Sequence, residues 1–312
     1  MLVLAGALLL GLPTAAQQRR HPRQGNDFTL TVDVDLVVLH TTVVDKRGRL
    51  INNLQSEHFK IYEDNVEQKL AVFRNEEVPV TTGLVLDNSS SMKDNRRAMM
   101  AGALRFVETS NSRDEIFVVN FNEDYYLDLQ DQDFTNEIEK LKEALEKTNT
   151  RGGTAFYDAV RASLEHLKRG TVQKKVLLII SDGVDHVSVS DFDTLLRDAQ
   201  RADAALYFVG LPCAEEKRDC RKAKRQMRKL ASVTGGMAYF PTSIEQVEAL
   251  CKQIARDIRS QYVLGYYPTN RARDGSFRRV QVRVNPPKGH KKLFPRTRPG
   301  YYAPSEDRAG SQ

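Results

Sequence analysis

The stretch that decides the fold is GLVLDNSSSM, residues 83–92. It is typical of a buried apolar strand that ends at a carboxylate, Asp87, and is followed by a row of hydroxyls. Asp87, Ser89 and Ser91 occupy alternate positions, so in an extended turn their side chains would converge on one point. Carboxylate and hydroxyl oxygens are the ligands that a hard divalent cation such as Mg²⁺ prefers. The stretch therefore predicts part of a cation site, which needs further oxygen ligands at the ends of other strands.

From residue 80 onward, strand and helix patterns alternate along the chain. This alternation is typical of an α/β sheet with crossover helices. The run over 176–180 is apolar throughout, as a central parallel strand should be, and it ends in SDG at 181–183. The segment RGGT, residues 151–154, opens another helix. The sequence thus predicts an α/β, Rossmann-like domain with a mostly parallel central sheet flanked by helices.

Two further helices are predicted from periodicity within this domain. Apolar residues recur at helical spacing over 136–147, with Ile138 on the predicted buried face, and over 244–260, with Ile244 on that face. Between these helices, residues 215–228 are densely charged and mostly basic. Such a run is typical of a solvated helix face, and a surface for an acidic partner is the alternative.

In an open α/β sheet, ligands bind outside the carboxyl ends of the strands, where neighbouring loops meet. Three segments lie at predicted strand or loop ends of this kind: 87–91, 152–154 and 181–183. Together they offer two carboxylates, which balance a divalent cation, and hydroxyls as neutral donors. Magnesium needs about six oxygens and usually retains water, so at least one position would stay open to an outside ligand. An acidic group from a partner would suit that position.

The two flanks of the α/β domain carry strand patterns instead of alternating elements. From Phe28 to Leu36, apolar and polar residues alternate strictly, which predicts a half-buried strand. The β material over 28–78 and over 262–304 is insufficient alone and adequate together. We therefore expect both flanks to form one small antiparallel β-sandwich-like unit, with the domain over 79–261 inserted between them.

The chain ends are predicted to lie outside these folded units. Residues 2–12 are apolar and are followed by small residues, which indicates a signal peptide over 1–16 cleaved near Ala16. The segments 17–27 and 305–312 are expected to be a disordered linker and a disordered tail. No second apolar stretch of membrane length follows, so the mature chain is expected to be exported, periplasmic or secreted, without an integral membrane span.

Composition narrows the partners and the redox chemistry. The net charge of +6 is small for 312 residues, and there is no stripe of basic and aromatic residues, so no nucleic acid is expected. Three cysteines are too few for a disulfide framework. Cys213 and Cys220 flank a short charged loop and could bridge in an oxidising compartment, whereas Cys251 is expected to be a buried thiol.

These motifs, in this order and context, resemble the von Willebrand factor A (VWA) domain and its metal-ion-dependent adhesion site. The family pattern is D-x-S-x-S on the first loop, then a Thr, then an Asp. Its presence implies one set of metal ligands in this chain: Asp87, Ser89, Ser91, Thr154 and Asp182. Mg²⁺ is the expected ion, with Mn²⁺ or Ca²⁺ as alternatives.

The resemblance also implies neighbours of the site. Asn88, Asp185 and His186 are expected to form a rim that contacts a partner. Asp94 lies where integrin β-type domains place a ligand of a second, regulatory metal, but Asn95 replaces the second acid, so a second metal is not expected. The flanking strand motifs look like the exported VWA-domain proteins abundant in acidobacteria.

The function implied by the resemblance is adhesion: a bound cation captures an Asp or Glu side chain of a protein partner. One alternative is a metal-dependent hydrolase of the phosphoesterase type, which would use the metal as a Lewis acid. The chain has no G-x-S-x-G elbow, P-loop or H-E-x-x-H motif, so we do not expect an enzyme. A second alternative is a scaffold in which the β unit, and not the metal site, mediates assembly.

Overall fold

The computed structural model describes residues 36–75, 77–129, 132–147, 150–287 and 292–305. The predicted signal peptide, the linker after it and the start of the strand predicted from Phe28 lie outside these residues. Within them, the strands are β1 (Val37–Val44), β2 (Phe59–Glu63), β3 (Val66–Gln68), β4 (Leu70–Arg74), β5 (Thr81–Asp87), β6 (Glu115–Phe121), β7 (Tyr125–Leu127), β8 (Lys175–Ser181), β9 (Ala205–Gly210), β10 (Ala238–Tyr239), β11 (Tyr262–Tyr266), β12 (Phe277–Val284), β13 (Phe294–Arg296) and β14 (Gly300–Tyr302). The helices are α1 (Arg96–Glu108), α2 (Ile138–Glu146), α3 (Phe156–Leu167), α4 (Phe192–Arg201), α5 (Lys217–Thr234) and α6 (Gln246–Arg259).

The central sheet has the strand order β10-β9-β8-β5-β6-β7. Neighbouring strands are parallel except for β6 and β7, which pair antiparallel. Strand β5 is buried along its whole length, and β8 is buried from its second residue onward. A strand with both faces covered by helices reads as a continuous apolar run, which is the pattern of these two strands.

Helices cover both faces of this sheet and form two separate cores. Helices α1, α2 and α6 pack on one face, with Met99, Leu141 and Val247 in a common core. Helices α3, α4 and α5 pack on the other face, where Val160, Leu195 and Leu230 meet. The predicted α/β architecture is therefore confirmed.

The remaining strands come from both flanks of the α/β domain and form two antiparallel sheets. Their orders are β13-β1-β11-β4 and β14-β12-β2-β3. In the first sheet Leu39 of β1 stands opposite Leu264 of β11, and in the second Ile61 of β2 stands opposite Val282 of β12. These four side chains share one core between the sheets. The prediction of a β-sandwich-like unit built from both ends is confirmed.

Three details differ from the sequence pattern or complete it. Ile138 is 39% exposed and Ile244 is 38% exposed, so the prediction that they are buried is wrong. Ile138 is the first residue of α2 and Ile244 precedes α6, and at a helix end the periodicity no longer sets which side chains face the core. The question left open for the cysteines is answered: Cys213 and Cys220 form a disulfide.

Candidate functional site

Two carboxylates lie at the carboxyl ends of neighbouring strands of the central sheet. Asp87 is the last residue of β5, and Asp182 directly follows β8, which pairs with β5. Because the strands are parallel, both side chains are delivered to the same edge of the sheet. Both residues are buried. The edge therefore holds two acidic groups with little access to water.

Serine hydroxyls connect these acids into one polar cluster. After Asp87 the chain enters a short 3-10 turn, Ser90–Met92. The Ser89 backbone N–H donates to Asp87 Oδ1 at 2.9 Å, and the Oγ atoms of Ser89 and Ser91 are 3.1 Å apart. Ser91 Oγ donates to Asp182 Oδ2 at 2.9 Å. Four of the five predicted ligands, Asp87, Ser89, Ser91 and Asp182, are thus brought together by direct hydrogen bonds.

The fifth predicted ligand, Thr154, lies on a third loop, which is hydrogen-bonded to the loop after Asp87 and to the loop after Asp182. The Gly152 carbonyl accepts from Ser90 N at 3.2 Å, and the Thr154 carbonyl accepts from His186 N at 2.9 Å. Gly152 has φ +68° and sits so close to the Glu123 carboxylate that a Cβ would lie 2.3 Å from it. Only glycine fits that backbone position without strain. Thr154 itself is buried beside the two loops.

Burial raises the pKa of both acids. Burial, together with the negative charge of Asp182, raises the pKa of Asp87 to about 7, although hydrogen bonds from Ser181 and Ser89 act in the opposite direction. Burial also raises the pKa of Asp182, whereas hydrogen bonds from the Val184 backbone and Ser91 lower it. Two buried carboxylates that repel each other form an environment that favours a positive charge.

Ser181 is a site residue that sequence reasoning did not single out. Its Oγ donates to Asp87 Oδ2 and accepts from Gly183 N at 2.8 Å. Ser181 therefore holds the Asp87 carboxylate from the end of β8, the strand that leads directly into Asp182. The available signal was its position, because it is the one hydroxyl residue that ends the apolar strand β8, directly before Asp182.

The three residues predicted to form the rim differ in their exposure to solvent. The prediction for Asn88 is wrong, because Asn88 is 0% exposed and its Nδ2 donates to Asn120 Oδ1 at 2.8 Å. Asp185 is half-buried, and its Oδ1 accepts from Tyr157 N at 3.1 Å, so it stabilises the start of α3. His186 is exposed, and its Nε2 lies 3.5 Å from Glu215 Oε1.

Glu215 marks a fourth loop at this edge, which the sequence reading did not connect to the site. It lies between β9 and α5, and its charge contributes to the raised pKa of Asp182. Asn95, buried at the start of α1, ties the same loop to the serine turn, because its Nδ2 donates to the Pro212 carbonyl at 3.0 Å. Asp94 beside it is exposed.

The donor set fits a hard divalent cation. Within the described ranges there is no group of three or more His, Cys, Asp or Glu side chains placed to hold a metal. The cluster instead combines two carboxylates with the hydroxyls of Ser89 and Ser91, and Thr154 lies buried on an adjoining loop. An oxygen-only set with two negative charges suits Mg²⁺, Mn²⁺ or Ca²⁺ and does not suit a thiophilic metal.

Comparison with known proteins agrees with this reading of the fold. Residues 82–184 match the family model of the von Willebrand factor type A domain. No curated protein matches the sequence significantly. No helix in the described part of the chain is long and apolar enough to cross a membrane.

Solved structures with the same fold come from several sources. Proximal thread matrix protein 1 from the mussel byssus is 17% identical, with a TM-score of 0.50 over 63% of this chain and 51% of that chain. The pilus adhesin SpaC from Lactobacillus rhamnosus GG is 13% identical, with a TM-score of 0.49 over 86% of this chain and 48% of that chain. The vWF domain of the pili tip protein Mfa5 from Porphyromonas gingivalis is 12% identical, with a TM-score of 0.48 over 58% of this chain and 95% of that chain. The mussel protein, at a TM-score of 0.50 and 17% identity, indicates a similar fold and nothing more.

Proposed function

We propose that this VWA domain is a metal-dependent protein-binding module. A divalent cation held by Asp87, Ser89, Ser91, Thr154 and Asp182 would capture an acidic side chain of a partner protein. The observation that carries the proposal is the hydrogen-bonded cluster of two buried carboxylates and two serine hydroxyls at the carboxyl edge of the sheet. Such a cluster costs stability without a cation, because both acids are desolvated.

In this proposal the chain's own residues hold the ion and leave room for the partner. Asp87 and Asp182 supply the two charges, and the hydroxyls supply neutral oxygens. Bound there, the cation supplies a positive charge that attracts a carboxylate. The exposed His186 and Glu215 border the site and would meet the partner first.

Binding is supported better than hydrolysis by the contacts of the candidate nucleophiles and bases. Ser91 Oγ and Ser181 Oγ both donate to carboxylates that belong to the cluster. His186 lies beside Glu215 and, among the described residues, forms no hydrogen bond with a serine hydroxyl. A serine nucleophile needs a base within hydrogen-bond reach, and these contacts do not provide one. Turnover of p-nitrophenyl phosphate that disappears in Asp87→Asn would contradict the proposal.

The metal site is tested by isothermal titration of the purified protein with MgCl₂ or MnCl₂. We expect one site in the wild type and no binding heat in Asp87→Asn or Asp182→Asn, which keep the side-chain volume and remove the charge. Asp193→Asn, an exposed acid in the first turn of α4, is the matched control and should bind as the wild type does. A wild type that gives neither heat nor thermal stabilisation with any divalent ion would refute the proposal.

The partner is tested by capture of exported proteins on the immobilised protein, with and without EDTA. Capture that EDTA abolishes supports the metal site. Capture that EDTA leaves unchanged would instead favour the scaffold alternative, in which the β unit mediates assembly.

We also propose that the protein is exported. The disulfide Cys213–Cys220 supports this, because such bonds persist in oxidising compartments outside the cytosol. The test is the mass of the protein recovered from outside the cytoplasm. Cleavage after Ala16 would give a chain that begins at Gln17, and recovery of an uncut chain would contradict this prediction.

A further inference from the structure

Helix α5 carries a concentration of positive charge that the proposed metal site does not use. Its buried side consists of small and apolar residues such as Ala223, Met227 and Leu230. The rest of the helix presents eight basic residues with Asp219 as the acid among them: Lys217, Arg218, Arg221, Lys222, Lys224, Arg225, Arg228 and Lys229. The helix is therefore amphipathic, and its polar face is almost entirely basic.

These charges are not neutralised within the described part of the chain. None of the eight bases of α5 forms an ion pair with a carboxylate there, although Lys224 and Arg228 lie over the ring of Phe240. Other helices behave differently. Arg105 of α1 pairs with Glu108 and Glu248. Likewise, Lys140 and Lys142 of α2 pair with Glu137 and Glu139. The basic face of α5 is therefore a separate feature and not the general character of this surface.

The arrangement is unfavourable for the isolated helix. Arg221 and Arg225 stand four positions apart, as do Arg225 and Lys229, and like charges at this spacing repel each other. Lys217 and Arg218 lie in the first turn, where the helix dipole disfavours positive charge. A negatively charged partner along this face would relieve both effects.

The shape of the face selects a linear partner. Arg218, Arg221, Arg225 and Arg228 follow a spacing of three and four residues, which places them in one row along the helix. At about 1.5 Å per residue the row is about 15 Å long. The same four arginines and Lys224 line a shallow groove. An extended peptide of about five residues would match this length.

The helix starts beside the metal site. Strand β9 pairs with β8, with Gly210 opposite Ser181, so the loop into α5 leaves the same edge of the sheet as the Asp182 loop. The disulfide Cys213–Cys220 ties this loop to the first turns of α5. Farther along the helix, Met227 packs so closely on Gly183 that a Cβ there would lie 1.8 Å from Met227 Cε.

We propose that the exposed face of α5 binds an acidic segment of the same partner whose carboxylate reaches the metal, an inference that rests on the proposed function. The partner would then present a run of several acidic residues instead of one acid. Arginine suits this role because its guanidinium binds a carboxylate through two hydrogen bonds. The described residues lining the groove include no aromatic side chain, and proteins that bind single-stranded nucleic acid stack bases on such side chains.

The probe is a fluorescently labelled decapeptide of glutamates, followed by anisotropy with the full chain in MgCl₂ or EDTA. We expect Arg221→Glu/Arg225→Glu to weaken binding about tenfold in both buffers and to flatten the dependence on salt between about 50 and 300 mM. Asp87→Asn should remove the effect of Mg²⁺ and keep the salt dependence. Lys46→Glu/Arg47→Glu, in the exposed turn after β1, changes the net charge equally and should bind as the wild type does.

The outcomes separate the two proposals. If the double arginine variant binds as the wild type does while EDTA still weakens binding, the inference fails and the metal site stands. If Mg²⁺ has no effect but the arginine variant still weakens binding, the metal site fails and the acidic-peptide surface is supported. If labelled heparin oligosaccharide or poly(U) RNA of equal charge binds more tightly through the same arginines, an acidic protein segment is the wrong occupant. Thermal unfolding midpoints no lower than that of the wild type confirm that each variant is folded.

Discussion

At the residue scale, one hydroxyl at the end of β8, that of Ser181, orients the buried carboxylate of Asp87. Ser181 Oγ donates to Asp87 Oδ2, and this contact joins the two strands that carry the acids. Loss of a group that hydrogen-bonds to a metal ligand typically weakens metal binding about 10- to 100-fold. Ser181 is therefore expected to act as a positioning residue for the proposed cation.

Replacing Ser181 with alanine tests this role. We expect Ser181→Ala to weaken Mg²⁺ binding about tenfold in a calorimetric titration, because the Asp87 carboxylate loses a donor that orients it. Ser232→Ala is the control, since its hydroxyl donates to the Lys229 carbonyl on the surface of α5. Equal Mg²⁺ affinity in the two variants would contradict a positioning role.

A buried lysine at the opposite end of β8 makes stability depend on pH. Lys174 is 2% exposed, and its Nζ donates to the Ile258 carbonyl. Burial, together with the positive charge of Arg259, lowers the pKa of Lys174 to about 7, although the charge of Asp114 acts in the opposite direction. Burial also lowers the pKa of the neighbouring His40 to about 3, with the charges of Lys174 and Arg298 acting in the same direction, so His40 carries no charge near pH 7. In the unfolded chain the lysine would keep its proton up to about pH 10.

The sign of the pH effect follows from proton binding. Between about pH 7 and pH 10 the unfolded chain holds a proton that the folded Lys174 has lost, so the free energy of unfolding rises with pH in this window. We expect Lys174→Met to flatten this slope and to raise stability below pH 7 by up to a few kcal/mol. Lys175→Met, at the next and less buried position, should keep the wild-type slope in urea unfolding measured at several pH values. Identical slopes in all three proteins would refute the assignment.

At the scale of elements, the contact between α5 and the Asp182 loop depends on a glycine. Gly183 has φ +79°, and a Cβ there would lie 1.8 Å from Met227 Cε. The buried side chain of Met227 occupies the space that a side chain at Gly183 would need. The helix therefore sets the position of the residue directly after Asp182.

A pair of glycine substitutions separates backbone strain from packing. Gly48→Ala, at φ +77° with open space around it, should cost only the strain of about 1–2 kcal/mol. Gly183→Ala has the same strain and also forces Met227 aside, so we expect a further loss of about 1–3 kcal/mol in urea unfolding. Gly183→Ala should also weaken Mg²⁺ binding, whereas Gly48→Ala should not. Equal losses for the two variants would show that the α5 contact is not tight.

At the scale of the whole molecule, the two chain ends are joined through a buried ion pair. Glu63 of β2 and Arg278 of β12 are 3.4 Å apart between Oε1 and Nη1, and both are almost fully buried. The other oxygen of Glu63 accepts from Tyr266 at 2.7 Å and from Tyr301 at 2.8 Å. The β unit therefore depends on residues more than two hundred positions apart in the chain.

Neutralising one partner of this pair tests that dependence. We expect Glu63→Gln to destabilise the protein by about 3 kcal/mol, because Arg278 keeps a buried charge without its counter-ion. Glu67→Gln, which breaks an exposed pair with Lys60 on the neighbouring strand, should leave stability almost unchanged. Urea unfolding at pH 7 measures both. A loss of stability no larger for Glu63→Gln than for Glu67→Gln would contradict a structural role for the buried pair.

The spacing of apolar residues along the chain was enough to predict the fold class and the association of the two flanks in one β unit. Apolar runs such as the one before Asp87 mark strands covered on both faces, and alternation in the flanks marks half-buried strands. The spacing of Asp87, Ser89 and Ser91 placed three oxygen donors on one turn, because neighbouring positions in a short segment stay close in any fold. Local spacing was therefore sufficient to propose this part of the site.

Only the tertiary structure decided which other groups surround these donors. Asn88 lies between two proposed ligands in sequence, yet its side chain turns inward to Asn120 of the next strand. Ser181 and Glu215 reach the site because β8 lies beside β5, and β9 lies beside β8, in a sheet whose order differs from the sequence order. The physical reason is that strand order and register set which side chains meet across strands, and these depend on packing between segments far apart in the chain.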